Sequence, residues 1–155
     1  MTTNTWICDT CGLIVEKPED GWIEWISFVG KKPGRDLRLV HHKPSSPRGG
    51  EAGCQFVQSF EYAKDEGLIS DLPLSHFIGP DGLMQLLAMI VDQAVPVSEI
   101  LEMIKRIHIP GYEHARLHFD RAISEGVFEP NMPKNFYRQS DIEDTIQFAE
   151  KEELE

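Results

Sequence analysis

The chain has 155 residues, 41% of them hydrophobic and 26% charged, with a formal net charge of −11. That length fits one ordinary domain or two small modules, and the composition is globular rather than disordered. No apolar run approaches the ~18 residues of a membrane span, and the acidic balance argues against a general nucleic-acid coat.

The opening MTTNTWICDT has neither a basic n-region nor an apolar h-region, so the reading is intracellular and cytoplasmic. Next comes Cys8-Asp9-Thr10-Cys11-Gly12, a C-x-x-C followed by glycine and then by Leu13-Ile14-Val15. Trp22 to Val29 is rich in aromatic and β-branched residues, and Leu37 to His41 alternates, predicting two strands. Pro33-Gly34 between them suits the centre of a type II turn and predicts a hairpin. Lys31, Lys32, Arg35, Arg38, Lys43 and Arg48 face only Asp36, a local charge of +5 that makes this stretch a candidate polyanion contact.

Pro44 to Gly50 reads as a loop that Cys54 closes. Phe56, Val57, Phe60 and Ala63 then recur at helical spacing up to Gly67. From Gly79 the pattern is helical. Leu83, Leu86, Leu87 and Ile90 form one stripe, with Asp81 placed to cap it. Ser98 caps a second helix carrying Ile100, Leu101, Ile104 and Ile107. A third, from Tyr112 to Glu125, buries Ala115, Phe119, Ala122 and Ile123. Ser140 and Glu143 have capping-box spacing for a last helix. Asp141, Glu143, Asp144, Glu150, Glu152, Glu153 and Glu155 against Lys151 alone give this tail −6.

Three cysteines without an export signal favour metal or catalytic use over a disulfide framework. A thioredoxin-like pair would open a helix whose N-terminus lowers the thiol pKa. Here a turn and a strand follow instead. A metal site fits better: Gly12 tolerates the positive φ of a sharp turn after two ligands. Zinc takes four borderline or soft ligands in a tetrahedron. Twenty-nine residues separate Cys11 from His41, which His42 follows directly, and 12 residues separate His41 from Cys54. Either histidine completes a Cys₃His set with Cys8, Cys11 and Cys54. Strand alternation places His41 with Leu37 and Leu39, on the apolar face, and favours it. The expectation is one structural Zn²⁺ per chain, fully ligated by protein.

The CDTCG motif, the hairpin and a late ligand beside a helix resemble the zinc-ribbon and treble-clef proteins over about residues 5–60. The chain departs from them in using a histidine at a hairpin end and in lacking a second C-x-x-C. The resemblance implies a structural metal more than any particular role. The plan is therefore α+β: a zinc-binding β-rich module over residues 1–67, then a four-helix, winged-helix-like bundle over residues 79–155.

Two chemical readings compete. VHHKPSSPRGGEAGC resembles the entrance of an HNH-type nuclease, in which a histidine activates water beside a divalent cation. The expected downstream histidine and asparagine do not follow closely, since His76 and Asn131 are the next. His114 and His118, with His108, have i, i+4 metal-gripping spacing but lack an H-E-x-x-H pattern. As a recognition helix, residues 112–125 carry a net −1, against the surplus of bases that phosphate contact needs. The common nucleotide-binding and hydrolase signatures are absent. The resulting expectation is an interaction or adaptor protein with a macromolecular partner, a protein in the first place. A nucleic acid held by the basic stretch, by a helix-turn-helix regulator or an HNH-like nuclease, is the alternative. No membrane contact is expected.

Overall fold

A computed structural model describes residues 4–154. Strands β1 (Trp6–Ile7) and β2 (Ile14–Val15) pair antiparallel, Trp6 opposite Val15, and the C-x-x-C forms the turn between them. A second antiparallel sheet follows. Strands β3 (Gly21–Phe28) and β4 (Lys31–His41) form a hairpin, and β5 (Leu68–Pro73) lies on the other side of β3, giving the order β4-β3-β5.

The hairpin turn falls at Val29-Gly30, not at the predicted Pro33-Gly34, which lies inside β4. Gly34 serves another purpose. Its N–H donates to the carbonyl of Ala94 at 2.8 Å, and a Cβ there would drive into the carbonyl oxygen of Ile26. The glycine marks a close backbone approach in a strand with register shifts.

Helix α1 (Gln58–Asp65) follows Cys54, and Glu66 caps it in the left-handed conformation just before Gly67. The predicted apolar face of this helix is not buried: no residue of α1 is, and Phe60 is 70% exposed. Helices α2 (Gly79–Asp92) and α3 (Val97–His108) come next. Asp81 lies in the first turn of α2 but makes no side-chain cap, and the buried face is Gly82, Leu86 and Met89, with Leu87 outward. Helix α3 buries Ile100, Met103 and Arg106.

The chain divides into two compact units, the first ending at His108 and the second running from Ile109 onward. Leu86, Met89, Val95, Ile100 and Met103 share one core with Trp6, Val15, Ile23 and Leu39. Helices α2 and α3 therefore complete the unit that holds the sheet and do not belong to a separate four-helix bundle. The physical reason is that a three-stranded sheet exposes an apolar face that needs a covering layer.

The second unit contains α4 (Tyr112–Ala115), α5 (Phe119–Ser124) and α6 (Gln139–Glu153). The single helix predicted from Tyr112 to Glu125 is broken between Ala115 and Phe119. Its anchors Ala115, Phe119 and Ala122 are still buried, and Tyr112, Ala115 and Phe119 make a small core with Ile142 of α6, edged by Phe128, Tyr137 and Ile146. Phe119 meets Tyr137 edge-on at 4.8 Å and Phe128 at 6.3 Å. Val127-Phe128 and Phe136-Tyr137, which follow the predicted third helix and would have to supply the wing of a winged helix, carry no strand, and Phe128 and Tyr137 are used in this aromatic packing instead. The predicted capping box does not form either. Helix α6 starts one residue before Ser140, and Arg138 at its N-cap makes no side-chain cap. Glu155 of the acidic tail lies outside the described residues.

Candidate metal centre

The turn between β1 and β2 is closed by two backbone hydrogen bonds, Cys8 N–H to Leu13 O and Gly12 N–H to Cys8 O, both at 2.9 Å. Gly12 adopts φ +76°, the conformation expected of a glycine at this point. The turn folds Cys11 back beside Cys8. Strand β4 delivers His41 at its last residue, and the loop ahead of α1 delivers Cys54. The sulfurs of Cys8, Cys11 and Cys54 and a ring nitrogen of His41 all lie within 4.8 Å of one another, and Cys8, His41 and Cys54 are buried.

The donor set fits a metal ion. A tetrahedron with bonds of about 2.3 Å has edges of about 3.8 Å, and Nδ1 of His41 lies 3.4 Å from Cys11 Sγ and 3.8 Å from Cys54 Sγ. Nε2 of His41 is 2.9 Å from the carbonyl oxygen of Ile14. Since that oxygen can only accept, Nε2 carries the proton and Nδ1 presents its lone pair to the sulfurs.

The surroundings favour thiolate at one sulfur. The N–H groups of Thr10 and His41 each donate to Cys8 Sγ at 3.4 Å. Burial is the largest single influence on Cys8 and pushes it up, but the backbone N–H groups of Cys11, Thr10 and His41 together outweigh it and hold the thiol at about 7. Burial pushes Cys54 up to about 11, only partly offset by the Ser46 hydroxyl 3.0 Å from its sulfur, with Cys8 and Cys11 adding to the rise. Crowding three thiols together opposes their joint ionisation, and a bound dication reverses that opposition.

A supporting shell surrounds the four residues, and the sequence did not disclose it. Asp9, between the two cysteines, accepts from Leu39 N–H and Arg106 Nη1, both at 2.8 Å, while its own N–H donates to the Leu39 carbonyl at 2.8 Å. Thr10 Oγ1 donates to the Cys54 carbonyl at 2.6 Å. Glu24, fully buried, accepts from Phe56 N–H and Arg38, and Arg38 Nη2 reaches the Cys54 carbonyl at 3.2 Å. Burial raises the Glu24 carboxyl above the usual range even though Arg38 pulls it down.

His42 is not part of the group. Its ring stacks on Trp22 with centroids 4.5 Å apart and an interplanar angle of 13°, and its N–H donates to Asp20 O. Only one of the two adjacent histidines thus faces the sulfurs. His114 and His118 do not share a helix, because His118 is the N-cap of α5, after the break. His108 Nε2 is engaged with Phe77 O at 2.8 Å.

Most of the basic stretch is held within the chain. Arg35 binds Asp65, Asp36 and Glu61, and the Asp65 carboxylate foremost raises its guanidinium further above the normal range. Arg38 is bound to Glu24 and covers the Phe56 ring at 3.6 Å, Lys32 contacts Asp92, and Lys31 sits over Phe28. Lys43 and Arg48 lie in the loop before Cys54. Among the described residues, no helix is long and apolar enough to cross a membrane. No protein-family profile matches this chain, and neither a curated protein nor a solved structure matches it.

Proposed function

We propose that Cys8, Cys11, His41 and Cys54 hold one structural Zn²⁺ and that the chain is a non-catalytic interaction module. The observation that carries this reading is the converging, largely buried Cys₃His set. Four protein ligands fill a tetrahedron, leaving no position for a water or substrate, so the ion holds three separate segments together and does no chemistry. The order of turn, hairpin and helix around the set supports a treble-clef-like arrangement. Thiolate ligands need a reducing compartment, which supports a cytoplasmic setting. The partner is a protein. The commitment of Arg35, Arg38 and Lys32 to carboxylates of the same chain supports this choice over a nucleic acid.

Elemental analysis tests the metal. The purified chain should carry close to one zinc, and Cys54→Ser should lose it. Mg²⁺-dependent plasmid cleavage that disappears in His41→Ala or His42→Ala would refute the non-catalytic reading, and a stably folded wild type free of zinc would refute the metal.

A further inference from the structure

Helix α2 has apolar residues on both of its faces. One face sends Leu86 and Met89 into the core. The opposite face carries Met84, Leu87, Ala88 and Val91, spaced i, i+3, i+4, i+7, and all four are outward. Met84 is 64% exposed, Leu87 41% and Val91 86%. A helix hydrophobic all round belongs in an interior, and a contiguous exposed apolar stripe marks an interaction surface. The polar side chains of α2, Asp81, Gln85 and Asp92, fall together along one flank of that stripe.

We propose that this face is the interface between two copies of the chain, packed through α2 as an antiparallel two-fold pair. The stripe is self-complementary about Leu87 and Ala88. Reversing one helix brings Met84 of each copy against Val91 of the other, and the small Ala88 lets the helices approach at the centre.

The flanking charges select the same arrangement. Near the C-terminal end of α2, Lys32 Nζ contacts Asp92 Oδ1 at 2.6 Å and the Asp92 carbonyl at 2.8 Å while its side chain stays 51% exposed. At the N-terminal end of the same flank, Asp81 is exposed and makes no ion pair among the described residues. A two-fold axis perpendicular to the plane of the two helices keeps like flanks on one side and exchanges their ends. Asp81 of each copy then lies opposite Lys32 of the other, within about 3 Å along the axis at 1.5 Å per residue. A parallel two-fold pairing would turn the like flanks to opposite sides and bring no Lys32 opposite Asp81. The antiparallel pair also aligns the helix dipoles favourably. This inference does not depend on which metal fills the Cys₃His site.

Sedimentation of the zinc-loaded full chain from about 5 µM to about 1 mM spans micromolar to millimolar Kd and should show a monomer–dimer equilibrium. Val91→Arg, at a site exposed enough to leave the fold intact by circular dichroism, should weaken it roughly tenfold or more, because it places an unpaired charge in an apolar contact. Ala88→Cys lies near the two-fold axis and should give a disulfide-linked dimer under mild oxidation, whereas the exposed control Glu125→Cys should not exceed wild type. A monomer across the whole range overturns the proposal. So does a dimer indifferent to Val91→Arg that fails to cross-link through Ala88→Cys, since its interface would lie elsewhere.

Discussion

Replacing Glu24 tests whether the metal-bearing loop depends on one buried carboxylate. Its side chain has no solvent exposure and its oxygens take Phe56 N–H at 2.9 and 3.1 Å and Arg38 Nη2 at 2.6 Å. Glu24→Ala leaves a guanidinium that is only 22% exposed with the Cys54 carbonyl but no carboxylate, and leaves the Phe56 N–H without its acceptor. Removing one partner of such a pair costs about 3–5 kcal/mol. Glu24→Gln keeps an acceptor for Phe56 and removes the buried charge as well, so its cost should be nearer about 1–2 kcal/mol. In urea, with a slope of about 2 kcal/mol per M, the alanine variant should lower the unfolding midpoint by about 2 M and the glutamine variant by less than about 1 M.

The pH dependence has a definite sign. Burial raises the folded-state pKa of Glu24, so the folded protein binds this proton more tightly than the unfolded chain. The associated stability is present at low pH and is lost as pH rises from the unfolded value, about 4.3, through the folded one. Glu24→Gln does not titrate, and it should gain on wild type across that interval. Both proteins share the pH dependence of the thiolates, so the difference between them isolates Glu24. Equal midpoints for the alanine and glutamine variants, or a gap that widens with pH, would refute the reasoning.

His41→Ala should abolish metal retention after dialysis, while His42→Ala should retain the metal and lose only its stack on Trp22. Zinc content and a thermal melt distinguish the two. Gly34→Ala should lower the melting temperature by several degrees, because its Cβ meets the backbone oxygens of Ile26 and Ala94 rather than movable side chains. Phe119→Ala removes the ring at the centre of the second unit's aromatic cluster and should cost about 3–5 kcal/mol, measured by denaturation of the full chain.

The metal centre was legible where its chemistry is local. Cys8, Cys11 and Gly12 form a turn whose requirements lie within five residues, and Cys54 was the one cysteine left to pair with them. His41 was favoured over His42 because alternation carried the apolar side of β4 to its last residue. What local rules miss depends on partners far along the chain. Pro33-Gly34 looks like a turn to local rules, yet Gly34 is required by the carbonyl of Ala94. The bases from Lys31 to Arg38 look like a free patch until Asp65, Glu61, Asp92 and Glu24 are brought beside them. Asp9 and Arg106 stand 97 residues apart, and nothing local joins them until the fold does. The break at Arg116 to His118 follows no proline or glycine and left no mark in the periodicity of the apolar residues.

The junction of Asp9 with Arg106 and Leu39 has a consequence for how this unit opens. Arg106 is 5% exposed at its side chain and donates Nη1 to Asp9 and Nη2 to the Ile7 carbonyl. Opening the cysteine turn would break both of these hydrogen bonds and free the β4 amide of Leu39 at the same moment. The turn and α3 should therefore open together, as one cooperative block instead of a fraying edge. In hydrogen exchange, the Leu39 amide and the amides of α3 should share a single opening free energy, and chelation should lower that value for all of them alike.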